Sequence, residues 1–285
     1  MTMPSFSLIL ATVGRTTELD RCFDALAAQT CSDFEVIVVD QNEDRRLEPH
    51  LDRARALGLA VRHLHHRPPN LAAARNAGLA AAQGKWLGFP NDDCWYEPEL
   101  LARVAQRFAR PDAPGGVIVH WVEQGPPPVT APRLSWERSS HFRDVPVSSI
   151  TLFLKHSLVE AIGGFDPRLG VGQWFGAGEE HDLVLRALRA RAVLPYEHGG
   201  RVPHAPAPPV APAGPQARSA ARSRARGTGA LYAKHGLPPW VVVRGLAAPV
   251  LRPLAKGALG AELAHGCAVT LGRLDGWLGW SRRCR

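Results

Sequence analysis

The stretch Asn70–Trp95, NLAAARNAGLAAAQGKWLGFPNDDCW, predicts a helix, a short buried strand and an acidic turn in succession. Asn70 is a good N-cap, and the alanines that follow it are strong helix formers. Gly84 is expected to end the helix. Trp86–Phe89 is expected to form a buried strand, which Pro90 stops because proline has no N–H to donate to a sheet. The residues that follow this strand are Asn91, Asp92 and Asp93.

The acidic turn has two interpretations. In open α/β sheets, ligands bind beyond the carboxyl ends of the strands. Two adjacent carboxylates in that place are costly unless a cation lies between them, and a divalent metal that carries a diphosphate fits this requirement. The alternative is a solvated acidic turn before the next helix, because the helix dipole favours acidic residues at an N-terminus.

The rest of the first 108 residues alternates predicted strands with predicted helices. The strands are Ser5–Thr12, Phe34–Val39 (followed by Asp40) and Leu59–Leu64, and the helices begin after Thr16 or Thr17, near Leu47 and at Pro98. This alternation predicts βαβ units and a mostly parallel sheet flanked by helices, a Rossmann-like α/β fold.

Asp40 ends the second predicted strand, where an acidic residue commonly hydrogen-bonds a ribose or a base. A helix cap or turn residue is the alternative. The glycine fingerprint GxGxxG is absent after the first strand, where residues 11–19 read ATVGRTTEL. This absence argues against a dinucleotide and favours a mononucleotide whose phosphates are held by a metal.

Further along the chain, strands are predicted over Gly116–Val122 and Val145–Leu154, and a helix is predicted to end at Gly163. A glycine-rich loop then leads into a helix whose first turn contains Glu179, Glu180 and Asp182. The helix dipole alone accounts for acidic residues at this position. The same carboxylates also suit a general base placed over a sugar hydroxyl.

Composition divides the chain unequally. Residues 201–285 contain 13 of the 34 Lys and Arg residues but 2 of the 26 Asp and Glu residues, so the net charge of +8 comes from the C-terminal part. The five cysteines include no CxxC pair, which indicates reduced thiols and a cytoplasmic location. No signal peptide and no run of 18 apolar residues is visible.

The C-terminal part is predicted to contain two regions. Residues 206–230 are rich in Pro, Ala and Arg and read as a linker or mobile loop. Residues 231–285 read as a basic amphipathic helical region that carries Trp240, Trp277 and Trp280. Such a region binds an anionic membrane surface, or it packs on the domain or on a second subunit.

Six motifs occur in order along the chain: ATVGR (11–15), VIVVDQN (36–42), LAAARNAGL (71–79), GKWLGFPNDDCWYEP (84–98), IGGFDPRLG (162–170) and GAGEEHDLVLRA (176–187). Together with His204 they resemble the family 2 glycosyltransferases with the GT-A fold, the bacterial group that includes rhamnosyltransferase-like and related sugar transferases. The resemblance covers residues 5–205, so residues 1–205 are expected to form the GT-A domain.

The resemblance implies roles for individual residues. The residues implied to bind the nucleotide-sugar are Thr12, Arg15, Asp40, Arg75, Asn91 and Asp92. Asp93 is implied to bind the metal, with His204 or its rival His198 completing that site. Glu180 is implied to be the catalytic base, beside Glu179 and Asp182. The family has an acid where this chain has Asn91, and an amide adds no negative charge at a metal.

The expected function is inverting transfer of a sugar from a nucleotide diphosphate-sugar to a hydroxyl of a glycan, lipid-linked or small-molecule acceptor. Mn²⁺ or Mg²⁺ is the expected cofactor. The expected location is cytoplasmic, with peripheral attachment at the inner face of the membrane, and no nucleic-acid partner is expected. Two alternatives remain open at this point, a nucleotidyltransferase on the same sheet and a nucleic-acid-binding module that uses the basic tail.

Overall fold

A computed structural model describes residues 3–127, 133–144, 146–204 and 214–283. Contacts between Cα atoms divide the chain into two compact units. The first unit comprises Met1–Phe165 and Leu183–Ala205, and the second comprises Asp166–Asp182 and Pro206–Arg285. The sequence predicted a single domain over residues 1–205. The segment Asp166–Asp182 instead belongs to the second unit, because its Leu169 and Phe175 share a core with Leu231 and Trp280.

The described part of the first unit contains one seven-stranded sheet. Its strands are β1 Phe6–Thr12, β2 Phe34–Asp40, β3 Val61–His65, β4 Trp86–Gly88, β5 Gly116–Trp121, β6 Leu152–Lys155 and β7 Tyr196–Val202. They lie in the order β3-β2-β1-β4-β6-β5-β7. Neighbouring strands are parallel except at β6, which is antiparallel to both β4 and β5. The predicted mostly parallel α/β sheet is confirmed.

Helices cover both faces of this sheet. They are α1 Thr17–Ala27, α2 Glu48–Ala56, α3 Leu71–Ala81, α4 Leu100–Phe108, α5 Trp136–Ser140 and α6 His156–Ile162, and α7 Glu179–Arg189 begins in the second unit and continues into the first. Successive residues of β1 enter different cores: Leu8 and Leu10 pack in one, and Ile9 packs in the other. Burial on both faces explains why the strands read as continuous apolar runs.

Most predicted elements are present, and their ends differ for local reasons. Asn70 caps α3 as predicted, because its side chain accepts a hydrogen bond from the Ala73 N–H at 3.0 Å. The strand predicted from residue 145 begins at Leu152, since a 3₁₀ turn occupies Ser149–Thr151. Strand β7 was not predicted. Its sequence, YEHGGRV, lacks a regular alternation of apolar and polar residues and contains two glycines, so the sequence pattern does not indicate a strand.

The second unit is built on three helices, α8 Pro215–Lys234, α9 Pro239–Ala255 and α10 Ala261–Arg283. The predicted linker is wrong over residues 215–230, which form most of α8; residues 206–213 lie outside the described residues. Glycine allows α8 and α10 to approach closely. A Cβ on Gly229 would lie 2.0 Å from the Arg273 carbonyl oxygen, and one on Gly276 would lie 2.0 Å from that of Arg226. Of the helices in the described residues, none is both long enough and apolar enough to cross a membrane.

Candidate active site

The carboxyl ends of β1, β2 and β4 lie side by side and bring several predicted residues together. Thr12 at the end of β1 is in register with Asp40 at the end of β2. The acidic turn follows β4, which pairs with β1 on its other side. Thr12 Oγ1 donates a 2.6 Å hydrogen bond to Asp92 Oδ2, so the strand order directly places a polar pair at this edge of the sheet.

Arg15 lies against both carboxylates of the acidic turn. Its Nη1 is 2.7 Å from Asp92 Oδ1 and also contacts Asp93 Oδ2. Burial raises the pKa of Asp92, although the Thr12 hydrogen bond and the Arg15 charge act in the opposite direction. The guanidinium therefore sits where a cation between the two carboxylates was predicted.

His204 reaches the same turn through a short stretch of backbone pairing. Cys94 and His204 form an isolated antiparallel bridge, and the Trp95 N–H donates to the Pro203 carbonyl at 3.1 Å. His204 Nε2 thereby lies 3.0 Å from Asp93 Oδ1. That buried oxygen nevertheless has no aligned hydrogen-bond donor among the described residues. Of the two candidate histidines, His204 is the one beside Asp93, whereas the ring of His198 packs 5.1 Å from that of Tyr196.

Arg75 is fully buried and positions Asn91. Its Nη2 donates to Asn91 Oδ1 at 3.2 Å and to Ser149 Oγ at 2.6 Å. The Asn91 amide oxygen thus faces a buried guanidinium. An acid at this position would add a negative charge beside Arg75, and the amide of Asn91 does not. Ser149 was not predicted, because a serine in an irregular segment gives no signal of a contact with residue 75.

Asp40 is 1% exposed, and both of its oxygens have neighbours. Its Oδ1 accepts from the backbone N–H and the Nδ2 of Asn42, each at 2.8 Å. Its Oδ2 lies 3.1 Å from His63 Nε2 and 3.8 Å from His65 Nδ1. Asn42 Oδ1 accepts in turn from the Gly14 N–H at 2.6 Å. Sequence reasoning missed Asn42 and the two histidines. The signal was the alternation of His63 and His65 on the strand after Asp40.

The three acidic residues at the start of α7 belong to the second unit and differ in burial. Asp182 is completely buried, with its Oδ1 2.7 Å from Lys234 Nζ and 2.9 Å from His235 Nε2. The Asp182 carboxylate is therefore engaged by two basic side chains of its own unit. Glu179 is 3% exposed, whereas Glu180 is half-buried and more accessible.

Lys234 also joins the start of the glycine-rich loop to this cluster, because its Nζ lies 2.6 Å from Asp166 Oδ2. Burial acts to raise the pKa of Asp166, but hydrogen bonds from Arg168 and Lys234 outweigh it and hold the pKa well below the ordinary value. The loop is therefore fixed to the end of α8 by charge-assisted hydrogen bonds.

A sequence profile described as Glycosyl transferase family 2 matches residues 7–158, more than half of the chain. This chain belongs to glycosyl transferase family 2. The match contains the predicted donor and acidic-turn residues from Thr12 to Asp93 and ends before α7.

Curated relatives of this family 2 chain are glycosyltransferases by name. A PGL/p-HBAD biosynthesis glycosyltransferase of Mycobacterium tuberculosis is 39% identical over 109 residues, which are 37% of this chain and 42% of the relative. An uncharacterized glycosyltransferase of Haemophilus influenzae is 27% identical over 206 residues, 67% of this chain and 64% of that protein. The matched region therefore spans less than half the length of the mycobacterial relative.

Solved structures share the fold of this family 2 chain at low sequence identity. A mannosyltransferase, PcManGT from Pyrobaculum calidifontis, in complex with GDP-Man and Mn²⁺, has a TM-score of 0.67 at 16% identity, covering 96% of this chain and 87% of that one. Residues 1–349 of S. aureus TarS, in complex with UDP-GlcNAc, have a TM-score of 0.58 at 15% identity, covering 95% and 92%. These similarities confirm the GT-A fold.

Proposed function

We propose that this family 2 protein transfers a sugar from a nucleotide diphosphate-sugar to an acceptor hydroxyl, with inversion at the anomeric carbon. The observation that carries the proposal is the cluster of Asp92 and Asp93 with Thr12, Arg15 and His204 at the carboxyl ends of β1 and β4. The structural neighbours support the donor class, because their complexes contain GDP-Man or UDP-GlcNAc.

The acidic turn suits a divalent metal. Asp93 Oδ1 is a buried carboxylate oxygen without an aligned hydrogen-bond donor among the described residues, and a cation would satisfy it. Asp93 and His204 would hold Mn²⁺ or Mg²⁺, as oxygen and imidazole ligands permit. Such an ion, when bound, supplies positive charge that stabilises the leaving diphosphate.

In this proposal, side chains of the protein bind the donor and accept the proton of the acceptor. Asp40, held by Asn42, receives the nucleoside, while Thr12 and Asp92 fix the turn that meets the diphosphate. Arg15 offers a guanidinium fork that suits phosphate oxygens. Glu180 accepts the proton of the acceptor hydroxyl as its oxygen bonds to the anomeric carbon. The bond from that carbon to the diphosphate oxygen breaks, and the nucleoside diphosphate leaves with the electron pair.

Metal-dependent donor hydrolysis tests this function. Asp93→Ala should lower the hydrolysis of a nucleotide diphosphate-sugar in Mn²⁺ by at least about 100-fold, because a metal contributes several kcal/mol to charge stabilisation. The melting temperature should stay close to that of the wild type, because Asp93 lies in a turn after the strand. Asp52→Ala, which removes a side chain 75% exposed on α2, is the matched control. Full activity of the wild type in excess chelator would contradict the metal requirement. Arg15 would then be the positive charge that faces the leaving diphosphate.

We further propose that the second unit attaches the protein to an anionic membrane surface. Val243, Leu251 and Leu254 on α9 are 64%, 58% and 44% exposed, and the neighbouring Arg252 and Lys256 are exposed as well. Each basic residue near an anionic bilayer contributes about 1 kcal/mol, and the apolar side chains add buried area. Trp280, which the predicted amphipathic region carries, is not part of this exposed surface. It is 9% exposed because it packs against Phe175 of its own unit, with 5.2 Å between ring centroids.

Co-sedimentation with anionic vesicles tests the attachment. We expect the wild type to pellet at low salt and to be released at high salt. The double variant Leu251→Glu, Leu254→Glu should pellet less, whereas Leu57→Glu, at a site 42% exposed in the first unit, should pellet like the wild type. We use point variants and not a truncated chain, because removal of α10 would take Trp280 out of the core that contains Leu231. Wild-type protein that stays in the supernatant at low salt would contradict the proposal.

A further inference from the structure

Asp40, His63 and His65 bring three metal-binding side chains together at the edge of the sheet. Asp40 and His65 are register partners on β2 and β3, and His63 is two residues earlier on β3, on the same face as His65. Within the part of the chain that the structure describes, these residues are the one group of at least three His, Cys, Asp or Glu whose ligand atoms all lie within 4.8 Å of one another. We propose that they form a binding site for a Zn²⁺-type cation that shares no residue with the site around Asp93.

The distances between the ligand atoms suit a tetrahedral ion. Bonds of about 2.0–2.1 Å from Zn²⁺ to nitrogen or oxygen separate neighbouring ligand atoms by about 3.3–3.4 Å. Asp40 Oδ2 lies 3.1 Å from His63 Nε2 and 3.8 Å from His65 Nδ1, values on either side of that separation. The ligand atoms of all three residues lie within 4.8 Å of one another, so an ion that drew the two imidazoles to the tetrahedral separation would complete the group. The side chain of His65 is 60% exposed, so the fourth position is open to water.

Asn42 prepares the carboxylate for this role. Its backbone N–H and its Nδ2 both donate to Asp40 Oδ1 at 2.8 Å, which turns Oδ2 towards the imidazoles. Asn42 is itself held by the Gly14 N–H. Ligating carboxylates and histidines are commonly oriented by such outer hydrogen bonds, and loss of one typically weakens metal binding by about 10–100-fold.

The ligand chemistry separates this site from the acidic turn. Two imidazoles and one carboxylate favour Zn²⁺ over Mn²⁺, because divalent affinity rises along the first-row series and imidazole suits the later metals. The turn around Asp93 offers mainly carboxylate oxygens, which suit Mn²⁺ and Mg²⁺. One protein can therefore bind two classes of cation at two places on the same sheet edge.

A consequence for the enzyme rests on the proposed function. The donor nucleoside and a cation on Oδ2 would both require Asp40. Zn²⁺ at this site therefore excludes the donor and inhibits the enzyme, even when Mn²⁺ is saturating.

Calorimetric titration of the full chain with Zn²⁺ alone, in a non-chelating buffer, tests the site. We expect His63→Gln and His65→Gln each to lose one equivalent that the wild type binds. His66→Gln removes the adjacent imidazole, which is not part of the cluster, and should keep that equivalent. Asn42→Ala should keep the equivalent with an affinity roughly 10–100-fold weaker. Equal stoichiometry in the wild type, His63→Gln and His65→Gln would overturn the site.

Co²⁺ titration of the wild type gives an answer that depends on no substitution. A nitrogen and oxygen site gives visible d–d bands without the near-ultraviolet thiolate charge transfer that binding at the exposed Cys267 would produce. Thiolate bands alone would overturn the proposal.

Donor hydrolysis in saturating Mn²⁺ then tests the consequence, with each protein compared with its own zinc-free rate. Zn²⁺ should inhibit the wild type and His66→Gln but not His65→Gln. If His65→Gln has lost its Zn²⁺ equivalent but is inhibited as strongly as the wild type, the cation site stands and the shared use of Asp40 is contradicted. The binding measurements need no donor, and so they stand even if the proposed function fails.

Discussion

Arg15 occupies the place between Asp92 and Asp93 that a metal requires, so its replacement should strengthen metal binding. In the absence of donor, the guanidinium contacts both carboxylates and competes with any cation that approaches them. Arg15→Gln removes the positive charge and keeps a side chain of similar reach. We therefore expect the variant to bind Mn²⁺ more tightly than the wild type when no nucleotide is present.

The size of the effect follows from the exposure of the three side chains. Unit charges about 4 Å apart interact by about 1 kcal/mol in water and about 4 kcal/mol at the effective dielectric of a protein surface. The Arg15 side chain is 41% exposed, whereas those of Asp92 and Asp93 are 11% and 13% exposed. Water therefore screens the contact from the arginine side, and exposed pairs contribute little. An intermediate value of about 1–2 kcal/mol corresponds to about 5–30-fold tighter Mn²⁺ binding.

Electron paramagnetic resonance of free Mn²⁺ measures this affinity without any enzymatic turnover. Arg21→Gln is the matched control, because it removes the same charge from the first unit at a residue that packs over the Trp95 ring. The difference between wild type and Arg15→Gln should shrink in about 1 M salt, where screening acts within about 3 Å. Unchanged or weaker Mn²⁺ binding by Arg15→Gln at low salt would refute the competition and the assignment of the turn to a cation.

Two further predictions concern the second unit. Glu180→Gln should lower kcat by roughly 10²–10⁴-fold with little change in donor affinity, and the more buried Glu179→Gln should lower it less; the reverse order in steady-state kinetics would make Glu179 the base. Asp166→Asn should cost roughly 1–2 kcal/mol of unfolding free energy at pH 7. Because the folded-state pKa of Asp166 is depressed, this stabilisation is present above the unfolded value of about 3.9 and is lost as pH falls towards the folded value. Urea unfolding at pH 7 and about pH 3 should therefore show a smaller difference at the lower pH, and an equal difference at both would contradict the charge contribution.

The sequence predicted the fold wherever local signals agreed with burial. Apolar residues on both faces are typical of strands that lie inside a sheet, and β1 and β2 are each buried and flanked by a strand on either side. The prediction failed where packing relies on small residues instead of an apolar stripe. Most of helix α8 was predicted to be a linker, because residues 206–230 are rich in Pro, Ala and Arg. Gly229 on this helix meets the α10 backbone directly, a contact that hydrophobic periodicity does not report.

The residues of the candidate site likewise fall into two groups, those that local sequence patterns place and those whose position depends on long-range contacts. Thr12 and Asp40 are the last residues of β1 and β2, and Asp92 follows β4. The carboxyl ends of parallel strands share one edge of the sheet, and so the common location of these residues could be predicted from the alternation of strands and helices. His204 could not be separated from His198 in this way. Its approach to Asp93 depends on an antiparallel bridge to Cys94, a partner 110 residues away in the sequence, and on a strand that two glycines disguise. The position of a side chain at the end of a clearly patterned strand can be predicted from the sequence. The position of a side chain in an irregular segment depends on long-range backbone pairing, which the sequence pattern does not indicate.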